Sequence, residues 1–352
     1  MIKKIVKDQK RYIQLGKLEI PYEVEVCYDA RKIKLLGFSF TYFRDVVSKE
    51  KYIKILNKRV YFHKSRRMRH YAMRDRLSLE NCEKLLVKEI SPHVGYTMDL
   101  KNPRTFNEKI NWLKLHYHDP RVTVCADKFA VKDYAKELIG EKYIVPTIGS
   151  WNCVDEIDFE SLPNQFVLKV NWSSGFNIIV KDKSSLDLKD VKLKLSSWMK
   201  ESANSYYDTF NWGYKHMKPV IFAEEYIEQC DGQVYDYKFY FSKGEFIYMF
   251  IATDRADGLT YTFFDENLEL LPFTYGKKPN ASPIPAMPSG VQQMIALAKV
   301  LASDFPFVRV DFYETDRGKI YLGEMTFYSG GGTLKFTPQE WDLRLGRKIH
   351  IE

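Results

Sequence analysis

Residues 307–327 read Phe-Val-Arg-Val-Asp-Phe-Tyr-Glu-Thr-Asp-Arg-Gly-Lys-Ile-Tyr-Leu-Gly-Glu-Met-Thr-Phe, and that pattern admits few folds. Val308, Val310 and Phe312 alternate with Arg309, Asp311 and Tyr313, the period of a half-buried strand. Asp316-Arg317-Gly318 is a turn signal, after which Ile320, Leu322, Glu324 and Thr326 share one side of a returning strand. A turn there sets Asp311 opposite Glu324 or its neighbour, roughly 5 Å away, flanked by Arg309 and Thr326. Like charges facing each other across a ladder destabilise it, so this pair calls for a cation. Hard oxygen donors of this kind suit Mg²⁺, which is commonly shared with substrate phosphates. The plainer alternative is a pair of solvated edge carboxylates bridged by Arg309. The apolar neighbours weigh against an exposed edge.

A second strand carries a lysine where an apolar residue is expected. Phe166-Val167-Leu168-Lys169-Val170 runs into Asn171-Trp172-Ser173-Ser174-Gly175-Phe176-Asn177 and then Ile178-Ile179-Val180. A small-residue turn can aim several backbone N–H groups at a phosphate, and Lys169 would add charge beside it. A plain hairpin whose lysine reaches out to water is equally compatible with these residues. Glu224-Glu225-Tyr226-Ile227 ends the apolar run from Val220, a strand end that could offer backbone groups to an adenine edge. Lys238, in Asp236-Tyr237-Lys238-Phe239, is another strand lysine and a second phosphate candidate.

Between these motifs the pattern alternates in type. Thr105 with Glu108 three residues later forms a capping box ahead of Ile110, Leu113 and Leu115, which predicts a helix entered at 102–109. A helix is expected from Ala126-Asp127-Lys128 to Ile139, stopped by Gly140. Strands are expected at 166–170, 177–181, 220–227, 236–241 and 246–252, with helices near 187–201 and 290–303. The proline-rich stretch 279–288 reads as a loop. Strands paired locally with inserted helices make an α+β fold, not a doubly wound one.

The first 76 residues hold 21 Lys and Arg against 8 Asp and Glu, about +13, while the whole chain carries +8. A basic arm therefore precedes a mildly acidic body of about −5. The arm repeats itself: Ile13-Gln14-Leu15-Gly16, Leu35-Leu36-Gly37 and Ile55-Leu56-Asn57 are each followed by an apolar run. Gly and Asn tolerate the positive φ of a tight turn, so each unit reads as a β-hairpin. Arg66 to about Lys88 reads as a basic helical connection. Such an arm suits an anionic partner, a membrane face or oligomer contacts; a structural cap is as compatible.

Several chemistries are excluded. No G-x-x-x-x-G-K-[ST], G-x-G-x-x-G, H-E-x-x-H or G-x-S-x-G is present. The five cysteines are scattered without C-x-x-C, which fits reduced thiols in a cytosol. Residues 1–11 lack an apolar core, so no secretory leader is expected, and no 18-residue apolar run exists.

The order of these elements resembles the ATP-grasp superfamily, and more narrowly its teichuronopeptide-biosynthesis (TupA-type) branch. The resemblance is carried by 102–109 with Trp112-Leu113-Lys114-Leu115, by Asp127-Lys128, Phe166–Lys169, Glu224–Tyr226 and Asp236–Phe239, and by 307–311 with Gly323-Glu324-Met325-Thr326-Phe327. It covers roughly residues 95–346. It implies two subdomains gripping ATP; the hairpin repeats of residues 1–65 lie outside it, so the expected domains are a basic β-hairpin appendage at 1–70, a helical connection at 71–125 and an ATP-grasp catalytic domain at 126–352. It further implies an ATP- and Mg²⁺-dependent carboxylate–amine ligase acting through an acyl phosphate. Lys128 and Lys169 would hold the α- and β-phosphates, with Lys238 nearby, under a loop carrying Ser173, Ser174 and Gly175. Glu224, Glu225, Tyr226 and Ile227 would meet adenine and ribose. Asp311 and Glu324 would hold Mg²⁺; Thr326 stands where the superfamily often has Asn and is the third metal candidate. Arg255 and Arg309 are the candidates for stabilising the intermediate, near a glycine loop at 330–332.

The substrates implied are an amino acid and a uronic acid of a capsular or other surface polysaccharide. Nucleic acid is not expected as a partner. The expected location is the cytoplasm, at the inner membrane face where capsule assembly would meet the basic arm. The rival readings are a glycosyltransferase of capsule assembly and a non-catalytic polysaccharide-binding scaffold.

Overall fold

The computed structural model describes the strands of residues 2–63 and, beyond them, residues 66–173, 175–201, 204–227, 235–253, 258–276, 278–315 and 317–351. Contacts divide the chain into two units, Met1–Arg76 and Leu77–Glu352.

The first unit is a seven-stranded antiparallel meander in sequence order: β1 (Ile2–Lys7), β2 (Lys10–Leu15), β3 (Leu18–Val26), β4 (Ala30–Leu35), β5 (Phe38–Arg44), β6 (Lys51–Ile55) and β7 (Lys58–His63). Helix α1 (Arg66–Arg74) follows. The three repeats fall on β2–β3, β4–β5 and β6–β7, with Ile13 opposite Ile20, Ile33 opposite Phe40 and Ile53 opposite Val60. They are not separate hairpins, because β3–β4 and β5–β6 also pair. Gly16, Gly37 and Asn57 lie outside the described residues.

The second unit opens with α2 (Leu79–Val94) and α3 (Phe106–His116). Ser78 caps α2, so the expected single basic helix is two helices separated by 75–78. The predicted capping box of α3 is present in full: the Thr105 hydroxyl accepts from Glu108 N, and the Glu108 carboxylate accepts from Thr105 N. Next come α4 (Pro120–Ala126) and α5 (Val131–Ile139), which Gly140 ends at φ 97°. Lys128 therefore sits in a turn, not on a helix as expected. The Asp127 carboxylate accepts from Phe129 N and Ala130 N, and this local capping delays the helix to Val131.

A four-stranded antiparallel sheet has the order β10 (Asn177–Val180), β9 (Phe166–Val170), β11 (Ile221–Glu225), β8 (Thr147–Trp151). One of its faces, with Phe166, Leu168, Val170, Ile221 and Ala223, packs with Val191 and Leu195 of α6 (Leu188–Glu201). The short helix α7 (Asn204–Thr209) precedes β11. The second sheet is five-stranded and antiparallel, in the order β14 (Thr260–Phe264), β13 (Glu245–Thr253), β12 (Asp236–Ser242), β16 (Val308–Glu314), β17 (Ile320–Thr326). Phe239, Phe241, Val308, Val310 and Met325 are buried in one core with Met294, Ala298 and Leu301 of α8 (Val291–Ala302). The two-residue strands β15 (Thr274–Tyr275) and β18 (Phe336–Thr337) pair, and α9 (Glu340–Arg347) closes the chain. The four- and five-stranded sheets thus each have one face covered by a helix, as an α+β fold requires.

Candidate functional site

The ladder places the two late carboxylates as the pattern predicts. Asp311 pairs with Glu324 and Arg309 with Thr326 across β16–β17. On the other side Lys238 pairs with Asp311 and Tyr240 with Arg309. Directly paired residues, and residues two apart, share a face. Lys238, Tyr240, Arg309, Asp311, Glu324 and Thr326 therefore form one polar patch on the face opposite α8.

Three cations neutralise it. Arg309 Nε and Nη2 donate to Asp311 at 2.7 and 2.8 Å, and Nη2 donates to Glu324 at 2.6 Å. Lys128 bonds Glu324, Lys238 bonds Asp311, and Lys238 also lies 3.3 Å from Asp236. Thr326 Oγ1 donates to Glu324 at 3.2 Å. Burial opposes ionisation of Glu324, yet Lys128, Arg309 and Lys238 outweigh it and hold the carboxyl well below the usual carboxylate range. Burial likewise works against the Arg309 charge, and Asp311, Tyr240 and Glu324 more than offset it.

A second cluster lies on the four-stranded sheet. Lys169 pairs with Phe222 in β9–β11, which puts it on the same face as Glu224. Glu224 is buried between Lys169 and Lys132, the latter at 2.7 Å. Desolvation pushes its carboxyl up, but the two lysines bring it below the ordinary value. Lys132 also donates to Val145 O and Thr147 Oγ1, both at 2.8 Å. Sequence reading passed over Lys132, because one more lysine on an amphipathic helix carries no signal.

Asn171 connects the clusters and was also missed. It is fully buried. Its backbone O accepts from Lys128 N at 2.9 Å, and its Nδ2 donates to Asp127 at 2.6 Å and to Lys218 O at 2.9 Å. Its Oδ1 accepts from Val220 N at 2.9 Å. The turn that carries Lys128 is thereby fastened two residues beyond Lys169. Burial raises the Asp127 carboxyl above its usual range.

The remaining expected residues lie nearby in the chain. Gly175 is exposed at φ 79°, and Ser173 is half-buried. Glu225 is exposed, its N donating to Pro146 O at 3.1 Å. Tyr226 and Ile227 are half-buried, and Lys181 Nζ lies 6.0 Å above the Tyr226 ring. Ser174 and Arg255 are outside the described residues. Among the described residues no three His, Cys, Asp or Glu side chains gather as a metal group, and no helix is long and apolar enough to cross a membrane. The metal candidates Asp311, Glu324 and Thr326 thus bring two carboxylates and a hydroxyl together.

Residues 108–350 match the family described as TupA-like ATPgrasp. The chain belongs to this family. As a TupA-like ATP-grasp protein it has the α+β ATP-grasp fold, and the match spans the four- and five-stranded sheets. No curated protein matches the chain. Among solved structures it is similar to D-alanine–D-alanine ligase from Helicobacter pylori, at 16% identity and TM-score 0.35, covering 64% of this chain and 62% of that one. It is similar to N5-carboxyaminoimidazole synthetase from Staphylococcus aureus complexed with ADP, at 15% and 0.33, covering 58% and 44%. A third is L-amino acid ligase from Bacillus licheniformis, at 11% and 0.35, covering 72% and 55%. The chain spans less than two thirds of the length of each.

Proposed function

We propose that this TupA-like ATP-grasp protein is an ATP- and Mg²⁺-dependent ligase that joins a carboxylate to an amine. The observation that carries the reading is the row Lys238–Asp311–Glu324, with Arg309 and Lys128 closing on the same two carboxylates. Carboxylates that face each other across a ladder are costly unless a cation holds them. Here side chains supply that cation, and in this reading Lys128 and Lys238 turn from the carboxylates toward phosphate oxygens when ATP binds.

The donor set fits Mg²⁺: Asp311, Glu324 and the Thr326 hydroxyl are hard oxygens, and Mg²⁺ is commonly held by one or two carboxylates plus substrate phosphates and water. Bound there, Mg²⁺ would neutralise charge that develops on the transferred phosphoryl group. Lys128 and Lys169 take the α- and β-phosphates in this reading, with Lys238 beside them. Residues 173–175, Ser173, Ser174 and Gly175, cover the phosphates and keep water out. Glu225, Tyr226 and Ile227 face adenine and ribose. Glu224, already held by two lysines, aligns Lys169 in place of meeting the ribose. Arg309 steadies the carboxylate pair and, with Arg255, the negative charge at the reacting carboxyl.

The chemistry follows from leaving groups. A carboxylate would have to expel oxide, so its oxygen first attacks the γ-phosphorus of ATP and ADP departs. The amine then adds to the acyl carbon, phosphate leaves, and one proton is released. Positive side chains lower the repulsion between the attacking carboxylate and the polyphosphate.

We further propose that the carboxylate is a uronic acid of a surface polysaccharide and the amine an amino acid. The charge of about +13 on residues 1–76 supports an anionic polymer or the inner face of a membrane as the neighbour. The test is ADP release that requires both an amino acid and a uronic-acid polymer. Lys169→Ala and Glu324→Ala are each expected to abolish it in a folded protein. Turnover retained in either variant removes the site assignment, and consumption of a nucleotide sugar without ATP makes the protein a glycosyltransferase.

A further inference from the structure

The segment 105–115, Thr-Phe-Asn-Glu-Lys-Ile-Asn-Trp-Leu-Lys-Leu, is not used by the phosphate and metal residues, yet α3 buries a polar row that core helices normally avoid. Asn107, Asn111 and Lys114 follow one another at helical spacing and are 0, 0 and 2% exposed. Their partners are distant in sequence. Lys114 Nζ donates to Gly331 O at 2.7 Å and to Asn111 Oδ1 at 2.9 Å. Asn111 Nδ2 donates to Gly332 O at 2.9 Å. Asn107 brackets Leu334, donating to its O at 2.7 Å and accepting from its N at 2.9 Å. Asp342 of α9 in turn accepts from Asn107 N and Nδ2 at 3.0 and 2.8 Å, and from the Tyr96 hydroxyl at 2.8 Å.

The loop so held is unusual backbone. Gly330, Gly331 and Gly332 take φ of 57, 61 and 63° in succession. A Cβ at Gly332 would lie 2.4 Å from Asn111 Nδ2, so only glycine lets the helix come this close. The loop begins three residues after Thr326. Its first residue is tied to the polar face itself: Ser329 Oγ lies 2.7 Å from the hydroxyl of Tyr240, the ladder partner of Arg309. The ring of Phe106, at the start of α3, packs against Tyr240 and Phe307 at 6.2 and 5.3 Å. Helix α3 therefore rests on the same sheet face as the carboxylates and grips the loop that borders them. Burial lowers the Lys114 ammonium to about 7, and the charge of Glu89 offsets this only in part. Such a cation is costly to bury for packing alone.

We infer that Asn107, Asn111 and Lys114 are positioning residues whose task is to set the backbone of residues 329–334 as the wall of the acceptor side of the site, with Lys114 fixing the Gly331 carbonyl. The inference rests on the ligase reading for what the wall faces; the clamp itself does not.

The test uses the full chain with Lys114→Met, which keeps the bulk and removes the donors. Amide hydrogen exchange across 328–335 is expected to rise at least tenfold. The melting-temperature rise given by Mg·ADP is expected to stay as in the parent. In turnover, kcat should fall at least tenfold while KM for ATP holds, with ADP released in excess over amide. Unchanged exchange across the loop overturns the clamp. A KM for ATP that rises as kcat falls, or an unaltered ratio of ADP to amide, overturns its role on the acceptor side. A parent protein with no ATP-dependent turnover defeats the ligase reading alone, since the exchange result still judges the clamp. Gly331→Ala is the second variant: open space surrounds its Cβ and only the loop's φ of 61° is strained, so the same kinetic signature is expected without a change in the core.

Discussion

Replacing Arg309 by Met isolates the electrostatics of the carboxylate pair. Asp311 and Glu324 are ladder partners, so their side chains stand roughly 5 Å apart. Two unit charges at that distance repel by about 3 kcal/mol at an effective dielectric of about 20. The guanidinium now spans both with three charge-assisted bonds of 2.6 to 2.8 Å, and only 13% of it is exposed. Removing one member of a buried charge cluster costs about 3–5 kcal/mol, and the lower end applies here because Lys128 and Lys238 remain. Arg309→Met should therefore lower unfolding free energy by about 3 kcal/mol, or roughly 6–12 °C in melting temperature. Mg²⁺ should then stand in for the lost charge. At a hundredfold excess over its dissociation constant, a cation that binds only the folded state returns about 2.7 kcal/mol. In the parent the arginine competes for the same oxygens, so Mg²⁺ alone should add far less. Urea unfolding followed by fluorescence of the six tryptophans, with and without Mg²⁺, measures both quantities. An equally stable variant, or the same gain from Mg²⁺ in both proteins, refutes the reasoning.

Three further outcomes are expected. Glu324 is depressed in the folded state, so its stabilisation is complete above the ordinary glutamate pKa of about 4.3 and fades as pH falls below it; Glu324→Gln should flatten the acid limb of a stability–pH curve. Lys114 is depressed from the ordinary lysine value to about 7, so above that pH the unfolded chain holds more protons and stability rises by up to about 1 kcal/mol per pH unit until roughly pH 10; Lys114→Met should remove that slope in denaturant titrations at successive pH values. Asn171→Ala deprives Asp127 and Val220 N of buried partners at about 1–3 kcal/mol each, and by loosening the Lys128 turn it should raise KM for ATP more than it lowers kcat in an ADP-release assay.

What could be read from the chain beforehand depended on periodicity. The 307–327 hairpin and helices α6 and α8 have strong two- or 3.6-residue periods, the β9–β10 hairpin is two short apolar runs around a small-residue turn, and all form close to the expected bounds. Strands β8 and β14 were not anticipated: Thr-Ile-Gly-Ser-Trp and Thr-Tyr-Thr-Phe-Phe are short edge strands, defined by pairing with β11 and β13 more than by their own pattern. Lys128 was expected on a helix opening at Ala126-Asp127-Lys128, but local capping by Asp127 delays that helix to Val131. The pairing of Asp311 with Glu324 was legible because a turn fixes register. The bonds of Asn171, Lys132 and Lys114 were not, since each depends on chain segments brought together by folding, and an isolated Asn or Lys in sequence looks like surface.

The most direct measurement is anomalous diffraction from crystals grown with Mn²⁺ and a non-hydrolysable ATP analogue. The account predicts one manganese peak within about 2.3 Å of oxygens from both Asp311 and Glu324, with Lys128 and Lys238 moved onto the polyphosphate. Manganese bound elsewhere, or a nucleotide that leaves both lysines on their carboxylates, would contradict it.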